Sequence, residues 1–289
     1  MSSLSDEFKP STEEFYFTGP KNLKLFGRRW ALSNVSSKGT IIGVHGYSEH
    51  GGRYAHFANF LNQNGYDVFF IDLPGHGKSE GRRSDIKDFD EYVRSVELFI
   101  NEVESRNSPK PFHLFAHSMG GLVSTRLLEA SSYADRFLTV TLSSPLFGIP
   151  RFKSWQLPWL KLLFEFVPNF TLKNDTELGE EVLARDREIL ESRLQDPLIK
   201  SCVTIQWFRS FVRARSLAFQ SVKKIRVPVG IFQAGDERVV SRIETERFYS
   251  LIPTLKFLKI YPNFLHEILN DIERKQVMND MLKWIEQNR

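Results

Sequence analysis

The stretch FHLFAHSMGGLV, Phe112 to Val123, decides the fold of this chain. An apolar run of strand length ends at Ala116, and an apolar helical pattern resumes after Gly120-Gly121. The sequence therefore predicts a strand, a sharp turn at Ser118 and then a helix. A turn of this kind strains the serine backbone and exposes its hydroxyl, so the neighbouring residues must be small.

Two interpretations of Ser118 are open at this point. The first is a nucleophile elbow, the G-x-S-x-G turn that presents a serine at the end of a strand. Gly120 and Gly121 supply small residues on the helix side, but Ala116 replaces the first glycine and adds one methyl group. The second is a helix N-cap, in which the Ser118 hydroxyl only accepts a backbone hydrogen bond. Other segments of the sequence are needed to choose between these two interpretations.

Short apolar runs alternate with helix-length segments through the first half of the chain. The runs cover residues 40–44, 68–72, 112–116 and 138–142, and helices are predicted to begin near Ala55, Asp90 and Met119. Near-continuous apolar strands separated by helices predict an α/β fold with a mostly parallel sheet that is flanked by helices. Before them, residues 13–17 and 23–32 predict an antiparallel hairpin that turns at residues 19–22.

The alternation stops after Pro145 and resumes with strands at residues 227–233 and 255–260 and a final helix at residues 273–287. We therefore predict a core of residues 1–145 and 222–289, with residues 146–221 inserted after the sixth strand as a helical lid.

The first part of this insertion, residues 154–170, is apolar and aromatic but too short to span a bilayer. It is expected to pack onto the core and line a substrate pocket, or to dip into a lipid surface. The predicted substrate-binding residues are Trp155, Trp159, Leu160 and Phe164. The charged part that follows, residues 173–193, predicts a solvated helix with Glu181 and Arg185 paired one turn apart.

Composition excludes several classes of protein. Apolar residues make up 41% of the 289 residues and charged residues 26%, which is typical of a globular chain. The net charge of +4 is scattered and forms no basic stripe, so nucleic acid is not an expected partner. Cys202 is the only cysteine, and the chain begins without a secretory pattern, so a cytoplasmic location and no cysteine metal site are expected.

Two further segments supply groups that a serine nucleophile needs. GVHGYSEHGGRY, residues 43–54, follows the first core strand and is placed to aim the Tyr47 amide at a developing oxyanion, with the Met119 amide as second donor. The plainer alternative is an ordinary glycine-rich loop. Of the seven histidines, His266 alone is predicted to lie in a loop beyond the last strand. The chain order serine, acid, histidine places the base there.

Two adjacent carboxylates compete for the role of the acid. The segment FQAGDERVVS follows the strand at residues 227–233 and contains both Asp236 and Glu237. Glu237 is followed by one arbitrary residue and two small apolar ones, which is the pattern of such loops, whereas Asp236 stands one place early. We predict that Glu237 orients His266 and keep Asp236 as the fallback.

The ordered set HGYSEHGGRY, DLPGHGKSEG, HSMGG, QDPL, AGDERVV and HEILN resembles the serine hydrolases of the α/β-hydrolase fold, and more narrowly the monoacylglycerol lipase and bacterial lysophospholipase group. The resemblance implies Ser118 as nucleophile, His266 as base and Glu237 as acid, with oxyanion amides from Tyr47 and Met119. The family often has a small residue where Tyr47 stands, so a phenol here is expected to narrow the acyl site.

The activity implied by this resemblance is hydrolysis of a single-chain lipid ester, a monoacylglycerol or a lysophospholipid, through an acyl-enzyme. No metal or organic cofactor is expected. The lid is a candidate for peripheral contact with the inner membrane surface. Two alternatives stay open, a short-chain carboxylesterase and a non-catalytic ligand-binding module of the same fold.

Overall fold

The structure is a computed structural model that describes residues 11–32, 36–150, 171–173, 179–200 and 202–289. The predicted substrate-binding residues Trp155, Trp159, Leu160 and Phe164 lie outside these described residues.

Ten strands are present in the described residues, and eight of them form the central sheet. They are β1 (Ser11–Thr18), β2 (Lys24–Ala31), β3 (Gly39–Val44), β4 (Tyr66–Asp72), β5 (Phe112–His117), β6 (Phe137–Ser143), β7 (Thr171–Lys173), β8 (Cys202–Thr204), β9 (Val229–Ala234) and β10 (Lys256–Tyr261). The sheet order is β1-β2-β4-β3-β5-β6-β9-β10, while β7 and β8 form a separate antiparallel pair. Only the β1-β2 and β2-β4 pairs of the sheet are antiparallel, so the predicted hairpin and mostly parallel sheet are confirmed.

Helices cover both faces of this sheet. They are α1 (Ala55–Gln63), α2 (Asp90–Ser105), α3 (Met119–Ala130), α4 (Arg187–Gln195), α5 (Ile205–Ser221), α6 (Arg242–Leu251) and α7 (Arg274–Gln287). Side chains of a strand point alternately to opposite faces, and Phe69 and Phe70 accordingly belong to different apolar clusters. The Phe69 cluster includes residues of α2, α3, α5 and α6, whereas the Phe70 cluster includes residues of α1 and α7.

Helices α1, α2 and α3 begin at Ala55, Asp90 and Met119, as predicted. The strand predicted at residues 227–233 instead begins at Val229. Pro228 precedes it and has no N–H group with which to extend the hydrogen-bond ladder.

The predicted pairing of Glu181 with Arg185 on a helix is wrong. Glu181 lies in a short 3-10 turn, and α4 begins only at Arg187, because Asp186 accepts hydrogen bonds from two backbone amides and caps the helix there. The Arg185 guanidinium donates instead to Asp271 and Glu273, at 2.5 and 2.7 Å. This arginine therefore fastens the segment before α4 to the loop before α7.

The chain leaves the sheet after β6 and rejoins it at β9, with β7, α4, β8 and α5 between. Trp207 and Phe211 of α5 are buried in the same apolar cluster as α3. The boundaries of the lid at residues 146 and 221 stay a prediction. No helix in the described ranges combines the length and the hydropathy required to cross a membrane.

Candidate active site

Ser118 occupies a strained turn between β5 and α3. Its backbone φ is 50° and its ψ is −116°, a combination that residues with a side chain rarely adopt. The Ser118 N–H donates to the Ser143 carbonyl at 2.9 Å, and its own carbonyl accepts from the amides of Gly121 and Leu146 at 2.9 Å each. The Ser118 hydroxyl makes no capping hydrogen bond to α3. The geometry is thus that of an elbow and not of an N-cap.

The glycines after Ser118 are required by close backbone approaches. A Cβ atom at Gly120 would lie 2.4 Å from the Val44 carbonyl oxygen and 2.6 Å from that of His45. A Cβ atom at Gly121 would lie 2.7 Å from the Cβ of Pro145. Gly120 therefore lets the start of α3 approach the end of β3, and Gly121 lets it approach the segment after β6.

His266 joins Ser118 to Glu237. The Nε2 atom of His266 lies 3.0 Å from the Ser118 hydroxyl oxygen, and its Nδ1 atom lies 2.9 Å from Oε2 of Glu237. Ser118 is 6% exposed and His266 is 3% exposed, so the hydroxyl and the ring are shielded from bulk water. The three side chains predicted as nucleophile, base and acid therefore form one continuous chain of hydrogen bonds.

The Glu237 carboxylate is held in place from its other side. Its Oε1 atom accepts the amides of Val239 and Val240 at 2.8 and 3.1 Å, and Oε2 also accepts from Gln233 at 3.2 Å. Asp236 is exposed and forms an ion pair with Arg238 at 2.6 Å. Of the two adjacent carboxylates, the structure thus brings Glu237 to His266 and leaves Asp236 at the surface.

Charge and burial shift the pKa values of this pair in opposite directions. Burial alone would lower the pKa of His266, but the charge and hydrogen bond of Glu237, together with the charges of Glu267 and Glu49, outweigh it, and the pKa lies above its ordinary value. Burial would likewise raise the pKa of Glu237, yet the charge and hydrogen bond of His266, together with two backbone amides, bring that pKa below its ordinary value. Glu237 is therefore ionised at neutral pH and favours the protonated imidazole.

Of the two predicted oxyanion donors, Met119 follows Ser118 in the chain and Tyr47 lies in a loop beside it. Met119 is the first residue of α3, and the first four N–H groups of a helix have no partner within it. On the other side, a Cβ atom at Gly46 would lie 3.1 Å from the Ser118 Cβ, so the Tyr47 loop passes directly beside the serine. The Tyr47 hydroxyl donates to the Ser84 carbonyl at 2.6 Å, and its ring lies 4.3 Å from that of Trp207.

A cavity of about 260 Å³ opens at Ser118. Apolar side chains supply much of its wall, namely Leu146, Ile149, Pro150, Val182, Leu183, Val203, Trp207, Val239 and Val240. Charged residues at the cavity are Glu49, Arg193, Arg238 and Glu267. Many of the apolar residues come from the segment between β6 and β9, which therefore forms one side of the cavity.

A buried ionic network that the sequence did not predict lies beside the site. Arg53 donates to Glu49 at 2.8 Å and makes two hydrogen bonds to Glu267, at 2.8 and 2.7 Å. These three side chains are 9% exposed or less. The four-residue spacing of Glu49 and Arg53 was visible in the sequence, whereas nothing local connects Arg53 with a residue 214 positions later.

Comparisons with known proteins show which family and fold this chain is similar to. The Hydrolase_4 family model, described as serine aminopeptidase S33, matches residues 35–273. Phospholipase YtpA of Bacillus subtilis is 28% identical over 251 residues, which cover 86% of this chain and 95% of that protein. Mouse monoglyceride lipase is 29% identical over 275 residues, covering 90% of this chain and 86% of that protein.

The crystal structure of the monoacylglycerol lipase of Paleococcus ferrophilus superimposes with a TM-score of 0.79 at 25% identity. The match covers 92% of this chain and 99% of that one. The family match, the mostly parallel sheet and the elbow at Ser118 lead to one conclusion: the chain belongs to the Hydrolase_4 family and has the α/β-hydrolase fold.

Proposed function

We propose that this chain hydrolyses acyl esters of single-chain lipids, either monoacylglycerols or lysophospholipids, through a covalent acyl-enzyme. The observation that carries the proposal is the hydrogen-bond chain from Ser118 through His266 to Glu237 at an apolar cavity. Relatives that are named phospholipase, monoacylglycerol lipase and lysophospholipase support the same class of activity.

In this mechanism His266 is the general base and Ser118 the nucleophile. Nε2 of His266 removes the hydroxyl proton as Ser118 attacks the ester carbonyl, and Glu237 stabilises the imidazolium that results. The imidazolium then protonates the leaving alcohol, and an acyl-serine remains. A water molecule repeats the attack with His266 again as base, which releases the fatty acid and restores the hydroxyl.

The developing oxyanion is stabilised by the amides of Tyr47 and Met119. Both residues adjoin the nucleophile, one through the loop after β3 and one as its chain neighbour at the start of α3. Donors that are already oriented need no reorganisation during the reaction, and the loss of one in comparable enzymes lowers turnover about 10² to 10³-fold.

An ester substrate suits this site better than the peptide that the family description suggests. An aminopeptidase has to bind the α-ammonium group of its substrate, for which a carboxylate is the natural partner. Among the described residues, the carboxylates that line the cavity are Glu49 and Glu267, and both already bind Arg53. The apolar residues of the wall, in contrast, are suited to an acyl chain.

The segment of residues 146–221 is proposed to act as a lid over the cavity and to bring the chain into peripheral contact with a membrane surface. Leu146, Ile149, Val203 and Trp207 from this segment line the cavity, so its movement would open or close the route to Ser118. We also propose a cytoplasmic location, because a chain with a single cysteine forms no internal disulfide.

A substrate panel tests the function. The purified chain and its Ser118→Ala variant are assayed on p-nitrophenyl esters from acetate to palmitate, on a monoacylglycerol, on lysophosphatidylcholine and on an aminoacyl p-nitroanilide. We expect long-chain preference and turnover of a single-chain lipid, with Ser118→Ala inactive and unlabelled by a fluorophosphonate. Preference for acetate would indicate a short-chain esterase, turnover of the anilide a peptidase, and no turnover at all a ligand-binding module.

A further inference from the structure

The loop that carries Tyr47 and the loop that carries His266 are connected by side chains through a buried path. Glu49 begins the path, because its Oε1 atom accepts the Gly46 amide at 2.5 Å and the Tyr54 hydroxyl at 2.7 Å. Its other oxygen, Oε2, accepts from Arg53 at 2.8 Å. The Glu49 carboxylate thus fixes the loop backbone directly before Tyr47 and connects it to the Arg53 guanidinium.

The path ends at the chain neighbour of His266. Arg53 binds both oxygens of Glu267 with its two terminal nitrogens, which fixes the plane of that carboxylate as well as its position. Glu267 is also held by its backbone amide, which donates to the Leu183 carbonyl at 2.7 Å, and by Asn270, whose side chain donates to Oε2 at 2.7 Å.

We propose that Arg53 is a positioning residue that clamps the Tyr47 loop to the His266 loop through Glu49 and Glu267. The inference rests on the proposed function, since it concerns the spacing of the oxyanion donor and the base in that reaction. Arg53 does not line the cavity and acts only through the residues that it binds.

The placement of the network favours this role over general stabilisation. Buried ion pairs are expensive to desolvate, and apolar residues of similar volume are often at least as stabilising. A buried arginine with two carboxylates is therefore poorly explained by stability alone. A positioning role explains the buried arginine better, because its bidentate hydrogen bonds fix both the distance and the angle between two loops, which apolar contacts do not.

The network also adds charge near the base. Several elements contribute side chains that face His266, and these are Glu237, His117, Glu49 and Glu267. Arg53 and Arg193 in turn pair with Glu267. After Glu237, the carboxylates of Glu267 and Glu49 also raise the pKa of His266. Neutralising Glu267 should therefore lower this pKa, whereas replacing Arg53 by lysine keeps the charge and changes only the geometry.

Four variants of the full chain test the clamp. They are Arg53→Met, Arg53→Lys, Glu267→Gln and, as matched control, Glu273→Gln, which removes an exposed carboxylate from the same loop outside the network. The second-order rate of fluorophosphonate labelling is measured against pH, with kcat and KM on an ester in parallel. Exchange of the amides of residues 45–49 and 265–270 is followed by mass spectrometry, and a thermal melt establishes the folded fraction.

We expect Arg53→Met to label about 10²-fold more slowly, with a lower kcat and a nearly unchanged KM, because the reacting groups lose their alignment. Arg53→Lys should recover part of the rate at an unchanged pH midpoint, whereas Glu267→Gln should move the midpoint to lower pH. Amides in both loops should exchange faster in Arg53→Met, and Glu273→Gln should resemble the wild type throughout.

The clamp is refuted if folded Arg53→Met labels at the wild-type rate, or if only one loop exchanges faster. Equal losses of labelling rate in Arg53→Met and Glu273→Gln would also refute it, since the effect would then not depend on the network. A wild-type chain that neither labels nor hydrolyses esters would instead refute the proposed function, and the exchange measurement would still decide whether the two loops are coupled.

Discussion

His266 places its Nε2 atom 3.0 Å from the hydroxyl oxygen of Ser118, although 148 residues separate the two along the chain. The contact exists because both residues follow parallel strands of one sheet, Ser118 after β5 and His266 after β10. The carboxyl ends of parallel strands lie at the same edge, which is where open α/β sheets bind their ligands. The sheet thus brings together groups that the chain keeps far apart.

The choice of acid is tested by a pair of amide substitutions. Glu237→Gln should lower kcat on the order of 10⁴-fold, as the corresponding change does in a serine protease triad, because His266 loses its orienting charge. Asp236→Asn should change kcat by less than about twofold, since it removes only an exposed ion pair with Arg238. Steady-state kinetics on one ester measure both, and a larger loss in Asp236→Asn would reverse the assignment.

The pH profile should report the pKa of His266. The base must be neutral to accept the Ser118 proton, so kcat/KM is expected to rise with pH through this pKa. Because Glu237 raises the pKa despite burial, the midpoint should lie above the ordinary value of about 6.5. In Glu237→Gln the residual activity should have a lower midpoint. A wild-type midpoint well below about 6.5 would contradict the described geometry.

Gly120→Ala should disturb the elbow. The new methyl would meet the backbone oxygens of Val44 and His45 at 2.4 and 2.6 Å, so α3 or the end of β3 must move. We expect the free energy of unfolding to fall by about 1–3 kcal/mol, with slower fluorophosphonate labelling. Urea denaturation measures the first effect. Gly179→Ala is the control for stability, since no atom of the described residues beyond its chain neighbours lies within 4 Å of the added carbon, and an equal loss there would rule out the steric cause.

Acid should destabilise the chain as its buried histidines become protonated. Burial lowers the pKa of His45 and His117 to about 4 and that of His76 to about 3, against about 6.5 in an unfolded chain. The stability these neutral rings contribute is complete above about pH 6.5 and is lost as pH falls toward 4. His266 contributes in the opposite direction, since its raised pKa favours folding at lower pH.

Burial also lowers the pKa of His56 and His113. Five lowered histidine pKa values outweigh one raised value, so the net loss should be on the order of a few kcal/mol. Urea denaturation at a series of pH values measures it, and His76→Gln should flatten the slope. An unfolding free energy that stays constant between about pH 6.5 and 4.5 would show that these rings are hydrated or already charged in the folded chain.

Much of the fold could be predicted from local pattern alone. Apolar runs of strand length and helical periodicity are set by neighbouring residues, so the starts of α1, α2 and α3 agreed with prediction. The pairing of Glu181 with Arg185 failed because a helical spacing of charges does not reveal where a helix begins. Asp186 caps α4 after both residues, and the partners of Arg185 lie in the loop before α7.

The sequence by itself determined the order of the eight strands that form the central sheet, the tight turn at Ser118 and the candidates His266 and Glu237. These features follow from short-range sterics and from chain order, both of which can be read from the amino-acid sequence. Tertiary structure alone decided that the Ser118 hydroxyl faces His266, that Asp236 stays in solvent and that Arg53 reaches Glu267. Such contacts depend on how the sheet and its loops fold in space, and no local pattern of residues encodes those distances.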